Sequence, residues 1–203
     1  MKRLFLTLAA FASGACATAA ATQPAEAPIS PEAAAVGPWD PASRLAAQRE
    51  AMKALAFMDG EWRGTASAEE ASGEMRHTER VGTLLDGTIR LVEGRAYDSA
   101  GKTRFNAFAV ISYDPVRRTY TMHTQAMGYA GNYPLTVFPD GFSWSHPDRP
   151  GTVVRYRATI NDGEWHEVGE RIAGDAAPVK TVELRVRRTG ASAWPQAGTV
   201  EPR

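Results

Sequence analysis

After residue 60 the hydrophobic pattern of the chain alternates with a period of two and is broken every eight to twelve residues by turn-forming clusters, which predicts strand after strand. Strands are expected over 61–67, 75–84, 88–97, 103–113, 119–126, 132–137, 142–146, 153–160, 165–172 and 180–188. The last is the clearest: Val182, Leu184 and Val186 share one face, and Thr181, Glu183, Arg185 and Arg187 share the other. Residues 103–113 differ, because Phe105, Ala107, Ala109 and Ile111 alternate with Phe108 and Val110, so both faces expect a cover. Asp86-Gly87, Ser99-Ala100-Gly101, Pro139-Asp140-Gly141 and Asn161-Asp162-Gly163 provide the left-handed or Asx positions of tight hairpins. No helical interval separates the strands, which excludes a parallel α/β sheet. Hairpins following one another along the chain predict an all-β, up-and-down antiparallel barrel of about ten strands.

Upstream the period changes. Asp40-Pro41 offers a cap followed by proline at the first helical position, and a helix is expected over 41–57. Leu45, Met52, Leu55 and Ala56 form a narrow apolar stripe, with Arg44, Gln48, Arg49 and Lys53 on other faces. This single N-terminal helix should therefore lie over one opening of the barrel. The Gly60-x-Trp62 that opens the first strand predicts a buried aromatic plug at the closed end.

Residues 1–21 have a basic start, an apolar stretch and a run of small residues, the layout of a signal peptide. The sole cysteine, Cys16, follows Ser13-Gly14-Ala15 in a lipobox-like setting, although Ser13 stands where that pattern prefers Leu. A periplasmic or secreted location is expected, with membrane attachment only if Cys16 is lipidated. Residues 22–38 are rich in Ala, Pro and Glu and read as a tether, residues 39–190 as the barrel, and residues 191–203 as a C-terminal tail.

Composition adds mainly exclusions. Of 203 residues, 43% are hydrophobic, and 23 basic residues balance 23 acidic ones. That balance gives no electrostatic basis for a nucleic-acid partner. The barrel has no thiol, and no histidine pair has helical metal-ligand spacing, so neither a metal nor a cofactor is expected.

Several features together resemble a known group: Leu55 followed by Gly60-x-Trp62-x-Gly64, the hairpin Tyr113-Asp114-x-x-Arg117-Arg118-x-Tyr120, and the turn-strand Asp162-Gly163-x-Trp165. Over residues 50–188 the chain resembles the lipocalin-like, calycin-type barrels. Among those it is most similar to the exported bacterial family catalogued as domain of unknown function fifteen seventy-nine. The resemblance implies a fold and carries no catalytic residues.

Three function classes remain open. The first is a non-enzymatic carrier or sensor of a small apolar or amphipathic molecule. The second is an enzyme that works in the barrel cavity with one general base, for which His123 and Glu167 are candidates. The third is a ligand-free structural or interaction domain. The carrier reading is the expected one, because nothing in the sequence names a reaction. Its candidate ligand-binding residues are His123 and Gln125 on one strand, Tyr129 and Tyr133 in a glycine-flanked mouth loop over 127–133, Trp144, and Arg155 and Arg157. The two arginines would anchor a ligand carboxylate if they face inward. A haem would require a histidine in an apolar pocket, where His146 and His166 are candidates.

Overall fold

In the computed structural model the residues described are 28, 40–69 and 73–195. The expected signal segment with Cys16, nearly all of the tether and the end of the tail lie outside them.

Asp40 caps α1 (Pro41–Lys53), the single α-helix among the described residues, its carboxylate accepting from the amides of Ala42 and Ser43. A 3-10 turn, Ala56–Met58, follows, so the expected continuous helix is broken before Phe57. Ten strands complete the fold: β1 (Gly60–Ala68), β2 (Met75–Leu84), β3 (Ile89–Tyr97), β4 (Thr103–Asp114), β5 (Thr119–Ala126), β6 (Tyr129–Phe138), β7 (Gly141–Pro147), β8 (Thr152–Asn161), β9 (Glu164–Ala173) and β10 (Val179–Gly190). Each pairs antiparallel with its chain neighbours, and β10 returns to pair with β1, closing an up-and-down barrel. Closure leaves no sheet edge unpaired.

The residues expected to form a mouth loop over 127–133 are mostly strand. Only Met127 and Gly128 form the turn, at φ 50° and 89°, and Tyr129 already begins β6. Two successive positive φ values give the tight turn whose twist matches its flanking strands.

One end of the barrel is sealed. Met52, Leu55 and Met58 insert against Trp62, Val81, Ile111, Tyr113, Val137, Phe142 and Trp165, all buried. Trp62 is 1% exposed, donates its indole N–H to the Met58 carbonyl at 2.9 Å, and meets Trp165 edge-on at 5.7 Å. The helix stripe is shorter than the sequence suggests, because Leu45 and Ala56 remain exposed while Ala51 is buried. A polar clamp locks the helix in place. The buried Arg90 grips Asp59 through two hydrogen bonds of 2.7 and 2.9 Å and donates a third to the Met52 carbonyl at 2.8 Å. Tyr120 hydroxyl adds a bond to the Ala51 carbonyl at 2.8 Å.

Outside the barrel, the start of the tail covers β2 and β4. Trp194 packs edge-on against Phe108 at 6.3 Å and lies under the Arg80 guanidinium at 4.5 Å. The apolar outer face of β4 therefore has a partner. In β10 the alternation is interrupted near its start, where a bulge between Lys180 and Val182 buries Thr181, whose hydroxyl donates to the Gly169 carbonyl.

Candidate functional site

Strand register settles which side chains share the lumen. Trp62 and Gly64 on β1 oppose Glu79 and His77 on β2, and those in turn oppose Gly94 and Ala96 on β3. Continuing round the barrel, Ala107 and Ala109 face inward on β4, Met122 and Thr124 on β5, Gly131, Tyr133 and Leu135 on β6. Trp144 and His146 follow on β7, Tyr156 and Ala158 on β8, Glu167 and Gly169 on β9, and Leu184 on β10.

The lumen is lopsided. On β6 to β8 four rings form one wall: Trp144 stacks on Tyr156 with centroids 4.4 Å apart and planes 6° from parallel, while Tyr133 lies 5.5 Å from Trp144 and His146 lies 5.7 Å from it. The opposite wall, from β1, β3 and β4, offers glycine and alanine: Gly64, Ala66, Gly94, Ala96, Ala107 and Ala109. Tyr133, Trp144 and Tyr156 point inward yet keep part of their surface accessible. Two glycines are needed for this arrangement. A Cβ at Gly94 would come within 2.5 Å of the Glu79 carboxylate, and one at Gly169 within 2.8 Å of the Tyr156 ring.

Below the aromatic wall sits a polar group of three residues. His77 is 6% and Glu79 10% exposed, and His77 Nε2 lies 2.7 Å from Glu79 Oε1. Among the described residues neither His77 Nδ1 nor Glu79 Oε2 has a partner. Glu167 accepts from the Trp165 indole N–H at 3.1 Å and from the Trp144 indole. Burial pushes the Glu167 carboxyl up from 4.5 to about 7, and the nearby charge of Glu79 adds to the rise, against the indole hydrogen bonds and His77. Tyr156 is pushed up to about 12 by burial, with Glu167 and Asp148 adding to it. The inward arginines lie at the two ends of the lumen and are committed elsewhere: Arg90 to Asp59, and Arg171 at the rim to Glu69 and Asp148.

The candidates chosen from sequence divide between the two sides of the wall. Tyr133 and Trp144 line the lumen. His123 and Gln125 point outward, the first bonded to Ser112 and Asn132 at 3.0 and 2.8 Å. Gln125 and Tyr129 lie along an open outer groove of about 460 Å³ with Phe108 and Met127, and Tyr129 is 82% exposed. Arg155 and Arg157 also point outward, paired with Glu170 at 2.9 Å and Asp140 at 2.6 Å, so neither anchors a ligand inside. Of the two histidines considered for haem, His166 is outside, bonded to Glu183 at 2.9 Å, and His146 is in the lumen. Sequence reasoning passed over His77 and Glu79, which looked like part of a charged strand. The signal that places them is their shared phase with Val81, the apolar residue of β2 that is wholly buried. Comparison with protein-family models and with curated proteins finds no match to this chain.

Proposed function

We propose that this chain is an exported, lipocalin-like barrel that holds a small amphipathic molecule in its lumen, and that it is related to the uncharacterised exported family its sequence resembles. The observation that supports this is the lopsided lumen, with four aromatic rings facing a wall of glycine and alanine and a polar group at the floor. Rings opposite small side chains leave room for a flat or chain-like apolar body, and inward polar atoms orient one end of it. The closed end, plugged by Trp62 and α1, makes the opposite end the entrance.

The test is titration of a neutral fluorescent probe, phenylnaphthylamine, against wild type and Ala107→Leu. Wild type should give saturable binding, and the leucine, projecting from the small-residue wall, should abolish it while leaving the circular dichroism spectrum unchanged. Absence of saturable binding to wild type would refute the carrier reading.

A second reading, acid–base chemistry in the same lumen, is favoured by Glu167 titrating near 7 beside the His77–Glu79 pair. A turnover screen on lipid-like substrates, with Glu167→Gln as the inactive control, addresses it.

A further inference from the structure

The floor of the lumen holds buried polar atoms without partners among the described residues. His77 Nε2 is engaged with Glu79 Oε1, and His77 Nδ1 has no partner. Glu79 Oε2 is likewise buried and unmatched. Glu167 takes two indole N–H groups and keeps spare lone pairs, since a carboxylate has about four acceptor directions. Two carboxylates thus share the floor with His77 as the basic side chain beside them, and a buried carboxylate short of counter-charge is costly. Among the described residues no group of three or more His, Cys, Asp and Glu side chains is arranged to hold a metal ion. What fits instead is a ligand head group that only donates, carries positive charge and spans more distance than a metal ion. A primary ammonium has three N–H donors and no acceptor. Above it, the faces of Trp144 and Tyr156 offer π surface, which attracts a cation and packs an apolar body.

We propose that the lumen selects a protonated organic amine with an aromatic or apolar body, its ammonium held by Glu79 Oε2 and Glu167 and its body against Trp144 and Tyr156. This rests on the carrier reading and adds the charge and class of the ligand to it. Glu79 and Glu167 meet the ligand directly in this arrangement, whereas His77 positions Glu79 and Trp165 positions Glu167 from behind.

Three probes with one body and different heads decide the matter: phenethylamine, phenethyl alcohol and phenylacetate, titrated calorimetrically at neutral pH against the full chain. Charge-assisted hydrogen bonds to the ammonium predict that the amine binds about ten- to a hundredfold more tightly than the alcohol, with the carboxylate weakest. Glu79→Gln and Glu167→Gln should each remove most of that preference while leaving alcohol binding in place. Glu164→Gln changes a carboxylate on the same strand that is turned outward to Arg187, and should leave the preference intact. Equal binding of amine and alcohol, or a preference for phenylacetate, overturns the amine inference and leaves the carrier reading standing. If none of the three binds and phenylnaphthylamine fails as well, the carrier reading falls with it. A preference for the amine that survives both glutamine variants places the cation site elsewhere and also overturns the inference.

Discussion

Replacing Glu167 with glutamine should stabilise the protein, and should do so only above a certain pH. In the folded chain this carboxyl titrates at about 7 instead of 4.5, because it is buried and faces the charge of Glu79. Below 4.5 both folded and unfolded chains hold the proton, and the group contributes no difference. Between 4.5 and 7 the unfolded chain releases its proton while the folded one keeps it, so stability falls as pH rises. Above 7 the folded chain carries a buried carboxylate, and the accumulated cost is the full shift of about 2.5 pH units, roughly 3 kcal/mol at one pH unit per 1.36 kcal/mol. Glutamine is neutral throughout and does not incur this loss. The amide brings a separate cost, since its NH2 group cannot accept from the Trp144 and Trp165 indoles, but that cost does not depend on pH. The informative quantity is therefore the stability difference between variant and wild type near pH 8 minus the same difference near pH 4, from urea unfolding followed by tryptophan fluorescence. It should favour the glutamine by about 2 to 3 kcal/mol. A difference that stays constant with pH within about 0.5 kcal/mol would mean that Glu167 is solvated and distant from Glu79, and the account of the lumen floor would be wrong.

Two other perturbations test the sealed end. Trp62→Ala removes the ring that packs on Trp165 and leaves the Met58 carbonyl without its donor, so it should cost about 3–5 kcal/mol in urea unfolding; a loss under about 1 kcal/mol would place the indole outside the core. Asp59→Ala leaves the Arg90 guanidinium buried without its carboxylate and should cost about 3 kcal/mol, most of it recovered in the double variant Asp59→Leu, Arg90→Met. A double variant as unstable as the single one would show that the clamp does more than hold two charges together.

The architecture was legible because its signals are local. Asp-Gly turns, strand alternation and the change of period at Gly60 each report on a few neighbouring residues, and the barrel follows from their order. The largest departure is at 127–133, where a loop was expected and a two-residue turn is found. Gly128 at positive φ is what a turn predicts, but Met127 at φ 50° is a conformation that an unbranched, non-glycine residue seldom adopts, and nothing in the local sequence announces it. The helix ended early for a related reason: Leu55 and Met58 are both needed in the plug, and the chain tightens into a 3-10 turn to deliver them.

The lumen was harder to read, since periodicity groups residues by face without saying which face is inside. Along β5, Thr121, His123 and Gln125 share a polar face, and Tyr120, Met122 and Thr124 a mixed one; choosing the polar set for a ligand contact reverses the pleat. On β2 the difficulty is greater, because Arg76-His77-Thr78-Glu79-Arg80 is polar on both faces. The usual rule that inward means apolar fails where a barrel encloses a polar floor, and a one-residue shift of phase would exchange His77 and Glu79 for Arg76, Thr78 and Arg80. Longer-range pairing resolves it. Gly94 on β3 leaves the space into which the Glu79 carboxylate leans, and Glu79 raises the proton affinity of Glu167, three strands away around the closed barrel. Each of these residues is ordinary in its own strand. The chemistry appears only when closure of β1 on β10 brings β2 within three strands of β9 around the barrel wall, so that two carboxylates nearly ninety positions apart in sequence share one pocket.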